Sequence, residues 1–176
     1  ETVESQGLIA LFPRPTASPE EVLRGDGTIV VLDGIQDPGN AGMIVRLAAA
    51  FGASGILGTE GTADLLAPKS IRASAGTALS VPTARITRRE IVSLARAGTL
   101  PLFAAVAGGG SFPSPLPSRF ALVLGSEGRG IDDEITKVAK PVGVQMTGEV
   151  ESLNVGAAAA ILLWQLQQRR RGDSNE

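Results

Sequence analysis

Glu151-Ser152-Leu153-Asn154-Val155 leads straight into Gly156-Ala157-Ala158-Ala159-Ala160, placing a polar cluster at the mouth of a helix built from small residues. Two other polar, glycine-punctuated segments precede it. One is Asp37-Pro38-Gly39-Asn40-Ala41-Gly42, leading to Arg46, and the other is Leu124-Gly125-Ser126-Glu127-Gly128-Arg129-Gly130. Each joins an apolar run to a following helix or turn. Open α/β sheets bind ligands outside the carboxyl ends of their strands. Three such joints therefore predict loops that converge on one pocket at that edge of a parallel sheet.

Working outward, residues 28–32 are β-branched and uninterrupted, as suits a strand buried on both faces. Residues 7–12, 54–57, 101–107, 120–124 and 141–146 read as further strands. A short helix opens at Ser18, a good cap, with Pro19 in first position and Glu20 and Glu21 behind it. A second helix runs from Asn40, read as its cap, to Phe51, with Ile44, Leu47, Ala48 and Phe51 inward and Gly52 ending it. Arg46 lies off that stripe. Residues 68–79, 88–97 (Ile91, Leu94 and Ala95 on one side) and 153–168 read as helices, and 108–117 as a flexible surface connection. Alternating strands and helices predict a three-layer α/β domain with a mainly parallel sheet. With 176 residues and 43% hydrophobic content, the chain suits one domain.

The chain has no Cys and no His. That excludes disulfides, thiolate or imidazole metal sites, a Cys nucleophile and a His base. The G-x-S-x-G and Walker signatures are also missing. Chemistry here must rest on Arg, Lys, Asp, Glu, Asn or Ser and a reactive cosubstrate, without a metal. No apolar run approaches the roughly 18 residues of a membrane span, and no basic-then-apolar leader is seen. The expectation is a soluble, cytoplasmic protein without a membrane partner. A net charge of −2 limits RNA contacts to local patches. Lys69 with Arg72, Arg85 with Arg88 and Arg89, and the run Arg169-Arg170-Arg171 are candidates; the last also reads as a solvated helix end that complements the dipole. Few aromatics leave little for base stacking.

Each polar segment has a plainer reading of its own. Gly125 to Gly130 could be only a tight strand exit. Its spacing is not G-x-G-x-x-G, and Glu127 would repel a pyrophosphate. A carboxylate amid bare backbone better suits a ligand with cationic or hydroxyl groups. Asn40 could be a cap and Arg46 a surface cation, while Ser152 and Asn154 could cap the last helix. Their occurrence together, in this order, favours a site.

The segments PGNAGMIVRLAAAFGA (38–53), LVLGSEGRGI (122–131) and ESLNVGAAAAILL (151–163) closely resemble the three motifs of the SpoU (TrmH-like) RNA ribose 2′-O-methyltransferases, a branch of the SPOUT superfamily. APKSIRASAGTAL (67–79) resembles the family's intervening segment. The resemblance implies a C-terminal deep trefoil knot, an exception to the rule against threaded loops. It also implies S-adenosyl-L-methionine bound in the knot, and a homodimer with RNA sites near the subunit interface. Ribosomal RNA is the leading substrate and tRNA the alternative. By motif, Gly125, Val144 and Leu153 contact the cofactor, and Val106, Ala107, Leu124, Gly128, Met146 and Asn154 complete its pocket. Asn40, Arg46, Glu127, Ser152 and Asn154 match the family's polar active-site positions.

Residues 1–176 then form one catalytic domain, and the opening 1–12 looks like the family's junction from a small N-terminal RNA-binding domain. The chain departs from the pattern at Val144-Gln145-Met146, where Ile-Pro-Met is usual, and at Gly156, where Ser is common. Two rival readings stand beside this one: a non-catalytic RNA-binding or ribosome-assembly module that keeps the fold, and a nicotinamide-dependent oxidoreductase, which lacks its glycine fingerprint.

Overall fold

A computed structural model of the protein describes residues 7, 13–15, 17–148 and 152–173. In chain order the elements are α1 (Pro19–Arg24), β1 (Gly27–Asp33), α2 (Pro38–Ala50), β2 (Gly55–Gly58), α3 (Pro68–Ala73), β3 (Thr83–Arg85), α4 (Arg88–Arg96), β4 (Leu102–Gly110), β5 (Arg119–Gly125), α5 (Asp133–Thr136), β6 (Lys140–Val142) and α6 (Val155–Asp173). The strands form one sheet in the order β3-β2-β1-β5-β4-β6, every pairing parallel. Central β1 is buried along its whole length, which is why it reads as an unbroken apolar run.

Side chains alternate across a strand, and β1 divides the core accordingly. Val30 and Leu32 pack with Ile44, Val45 and Ala48 of α2 and Leu162, Leu163 and Leu166 of α6. Ile29 and Val31 point the other way, to Val22 of α1, Ile91 of α4 and Ile135 of α5. Helices on both faces make the three layers expected for an α/β chain.

Several local expectations change. The cap of α2 is Asp37, whose Oδ1 accepts the Asn40 N–H at 2.8 Å, so Asn40 lies inside the first turn behind Pro38. The helix expected over 68–79 breaks after Ala73, because Ala75 (φ 51°) and Gly76 (φ 84°) turn left-handed before a 3₁₀ turn at Thr77–Leu79. β4 continues into the glycines, and the 108–117 connection is anchored rather than free. Phe112 is buried edge-on to Phe103, and Arg169 Nη1 donates to its carbonyl at 2.9 Å. β6 ends at Val142, short of the expected 146. The edge strand β3 and the single-turn α5 had no periodicity to announce them. The strand expected at 7–12 lies outside the described residues beyond Gly7. Among the described residues, no helix is long and apolar enough to cross a membrane.

Candidate active site

The carboxyl ends of β4, β5 and β6 open into a cavity of about 290 Å³. β4 supplies Ala105, Val106 and Ala107; β5 supplies Leu124 and Gly125. The chain beyond β6 supplies Gly143, Val144 and Met146, and the approach to α6 supplies Ser152 and Leu153. Seven of the nine residues assigned to the cofactor by motif therefore line one cavity: Val106, Ala107, Leu124, Gly125, Val144, Met146 and Leu153. Gly128 and Asn154 stand outside its lining, and Glu127 and Ser152 of the polar set stand within it. Sequence reading missed Val155, Ala158 and Leu162, which line the cavity from one stripe of α6 at helical spacing. It also missed Ala105, Gly143, and Ser126, Gly130 and Ile131, the last three inside a quoted motif.

The glycines of this cavity have a steric reason. A Cβ on Gly125 would overlap the backbone of Gly130 and Ile131, and one on Gly143 would strike the carbonyl of Val106 and the backbone of Gly109. The exits of β4 and β6 thus cross backbone to backbone, joined by the Gly143 N–H donating to the Gly110 carbonyl at 2.9 Å. Gln145 has a use here: its Nε2 donates to the Gly109 carbonyl at 3.3 Å, a bond that the usual proline lacks.

The 126–131 loop is a closed turn. Ser126 and Gly130 exchange backbone bonds of 3.1 and 2.8 Å, and Ser126 Oγ accepts the Arg129 N–H at 3.2 Å. This presents Glu127 beside α6, where its Oε1 accepts from Asn154 Nδ2. The other end of the Asn154 amide caps α6, accepting from the Gly156 N–H at 2.9 Å and the Ala157 N–H at 3.3 Å. Asn154 is therefore a cap and a partner of Glu127 at once.

Asn40 and Arg46 lie on α2, one turn on either side of Met43. The Met43 methyl occupies the space that a Gly156 side chain would need, which docks α2 at the first turn of α6 and accounts for glycine where serine is common. Asn40 is half-buried and Arg46 exposed. Among the described residues no hydrogen bond joins either side chain to Glu127, Ser152 or Asn154. The Asn40 N–H, and then the Lys69 ammonium at 3.0 Å, hold the Asp37 carboxyl below its usual range.

Most of the candidate basic patches are engaged within the chain. Arg85 donates to the carbonyls of Thr59, Thr62 and Ala63. Arg169 and Arg170 are not a solvated helix end: Arg169 ties down Phe112 and Pro113, and Arg170 lies over the Phe120 ring, 5.3 Å from its centre. Arg72 and Arg89 are both exposed, without ion pairs among the described residues.

A second, more polar cavity of about 420 Å³ lies across the 126–131 loop, with Asp33, Glu60, Arg88 and Arg129 in its walls. Ser126, Gly130 and Ile131 belong to both cavities. No group of acidic residues suited to a metal ion occurs among the described residues.

Known proteins share this fold. The sequence profile of the SpoU rRNA Methylase family matches residues 27–164, which includes all three loops. The chain is 33% identical over 152 residues to the 23S rRNA (guanosine(2553)-2'-O)-methyltransferase RlmP of Bacillus subtilis, covering 85% of this chain and 61% of the relative. It is 35% identical over 160 residues to the 23S rRNA (adenosine(1067)-2'-O)-methyltransferase of Streptomyces azureus, covering 88% and 59%. The crystal structure of the SpoU methyltransferase AviRb from Streptomyces viridochromogenes in complex with the cofactor AdoMet superposes with a TM-score of 0.77 and 26% identity, over 89% of this chain and 63% of that one. The chain thus spans about three fifths of the length of these relatives. With the profile match running from β1 into α6 and so taking in the whole sheet and the cavity at its edge, the chain belongs to the SpoU rRNA methylase family.

Proposed function

We propose that residues 1–176 form the catalytic domain of an S-adenosylmethionine-dependent RNA ribose 2′-O-methyltransferase acting in the cytoplasm on ribosomal RNA, with 1–12 as the junction from an RNA-binding domain. The observation that carries this reading is the cavity at the ends of β4, β5 and β6, which gathers seven of the nine motif-assigned cofactor residues beside the Glu127–Asn154 pair. The cavity fits the cofactor chemically. Leu124, Val144, Leu153 and Leu162 offer apolar walls, and Gly125 and Gly143 let the backbone segments that line the cavity pack against their neighbours more closely than any side chain would allow. The backbone crossings at Gly109–Gly143 and Gly125–Gly130 support threading of the C-terminal segment as a deep trefoil knot. A homodimer is supported by Trp164 on α6, a large apolar side chain left 51% exposed.

S-adenosylmethionine supplies, when bound, a methyl group on a sulfonium. The chain's part is to hold a ribose 2′-oxygen in line with that carbon, and such positioning supplies much of the rate. Arg46 grips an RNA phosphate and stabilises negative charge on the 2′-oxygen; the guanidinium stays protonated. The hydroxyl proton goes to phosphate or water. Asn40 orients Arg46 once RNA is in place, and Glu127, Ser152 and Asn154 order the loops around the reacting centre.

Calorimetric titration with S-adenosylmethionine, with NAD as the control, tests the reading. Saturable binding of S-adenosylmethionine alone is expected; its failure with a folded chain would favour a non-catalytic module. Methylation of ribosomal RNA by Arg46→Lys at the wild-type rate would reject the role given to the guanidinium fork. Unchanged turnover in Asn40→Ala would likewise reject an orienting role for Asn40.

A further inference from the structure

We infer that Asp33, which lies outside the three motif loops' reactive groups, is a positioning residue that clamps the Glu127 loop in place; this rests on the methyltransferase reading of the cavity. Asp33 is the last residue of β1 and only 2% exposed. Its backbone stands in register with Gly125, the last residue of β5, from which the loop departs. Its side chain reaches the other end of the loop: Oδ2 accepts the Asp132 N–H at 2.7 Å. One residue therefore fixes both ends of the 126–131 stretch, whose Ser126, Glu127, Gly130 and Ile131 form a wall of the cavity.

The clamp is itself held. Asp33 Oδ1 accepts from Thr59 Oγ1 at 2.6 Å and from Arg88 Nε at 2.7 Å. Arg88 is in turn fixed by the Glu60 carbonyl, at 2.8 Å from its Nη2, and by the Glu60 carboxylate. A buried carboxylate needs such partners. What marks Asp33 as more than a satisfied core anion is where its third bond goes. Thr59 follows β2 and Arg88 opens α4, whereas the Asp132 N–H belongs to the chain that returns from Glu127, and the Asp132 carboxylate, 3.8 Å from Arg88 Nε, draws that return towards the same cluster.

Asp33→Asn separates clamping from bulk. It keeps the shape but presents an N–H₂ to a set of three donors, so at least one of them loses its acceptor. Thr59→Val is the control, because it removes one bond to Asp33 and leaves the bond to Asp132. The full chain would be followed by hydrogen exchange and by calorimetric binding of S-adenosylhomocysteine. We expect Asp33→Asn to speed exchange over 126–132 while β1 and β5 stay protected, and to weaken binding by about tenfold or more. Thr59→Val should keep loop protection and bind within about twofold of wild type.

Equal behaviour of the two variants, or exchange rising evenly through β1 and β5, would overturn the inference and leave Asp33 a general stabiliser. Should Asp33→Asn fail to fold, Asp132→Pro removes the donor instead. The Asp132 φ of −55° suits proline, although the cap of α5 goes with it. Retained loop protection and affinity in Asp132→Pro would overturn the inference equally. If wild type binds no S-adenosylhomocysteine, the proposed function fails, and the exchange pattern still decides the clamp.

Discussion

The two cavities that share the 126–131 loop differ in what their polar groups already do. Across the polar side, the central charges are committed to one another: Asp33 to Arg88, Thr59 and Asp132, and Arg88 to Glu60. On the side of β4, β5 and β6, the walls are mostly apolar side chains and backbone, and among the described residues the charged Glu127 bonds only the Asn154 amide. The first cavity is built like an anchor and the second like a receptacle. A charge that is paired and buried stabilises a geometry, whereas open backbone beside apolar wall leaves hydrogen-bonding and contact capacity for a guest.

Removing the anchor should produce the largest effect. Arg88→Met leaves the Asp33 carboxylate buried without its cation, and loss of one partner of such a pair costs about 3 kcal/mol. Urea unfolding would measure it, and a loss below about 0.5 kcal/mol would show that Asp33 needs no cation. The receptacle should break differently. Gly125→Ala drives a methyl into Gly130 and Ile131, at a cost of about 2 kcal/mol and with loss of S-adenosylmethionine binding. Gly128→Ala sharpens the contrast. It sits on the same loop with nothing within 4 Å of the added carbon, so stability should stay within about 0.5 kcal/mol of wild type.

The next test distinguishes the two jobs of Asn154. Asn154→Ala removes the α6 cap and the Glu127 partner together, and should cost about 1 kcal/mol. Asn154→Asp keeps a capping oxygen but sets a second carboxylate against Glu127. Its stability should lie between wild type and Asn154→Ala, while methyl transfer falls as far as in the Ala variant. If Asn154→Asp remains fully active, the contact with Glu127 does no catalytic service.

Much of this architecture was legible because burial writes itself into composition. Residues 28–32 and 120–124 are buried on both faces, and unbroken apolar runs are what such strands require. Ser18-Pro19-Glu20-Glu21 gave its helix start away through residue types alone. The misses share a different cause, which is dependence on a distant partner. Phe112 and Pro113 are held by Arg169, more than fifty residues along the chain, so the Gly-Pro-rich connection looked free. Gln145 bonds the carbonyl of Gly109, thirty-six residues earlier, a partner no local pattern announces. Ala75 turns left-handed with nothing but the following Gly76 to hint at it. The cavity shows the same division. Val155, Ala158 and Leu162 lay in a quoted motif, yet that they face the cavity follows only from where α6 packs, which the motif does not state. Asp33, whose side chain contacts chain far from it in sequence, gave no local signal at all.

The smallest expected effect concerns α2, the helix that carries Asn40 and Arg46. Asp37 caps it from an exposed position, and its carboxyl is held low first by the Asn40 N–H and then by Lys69. A folded-state value below the unfolded one means that the carboxylate form stabilises the fold at pH above the unfolded value, near 3.8. That contribution is lost as pH falls through the lower folded value. Asp37→Asn retains a capping oxygen but has no such titration, so its unfolding midpoint should trail wild type near neutrality and converge with it as acid protonates Asp37. A gap that stays constant down to about pH 2 would remove the charge from the cap's role and leave only its geometry. Because the cap bonds Asn40 itself, convergence would also tie the first turn of α2, and with it the placement of Asn40, to the ionisation of one exposed carboxylate.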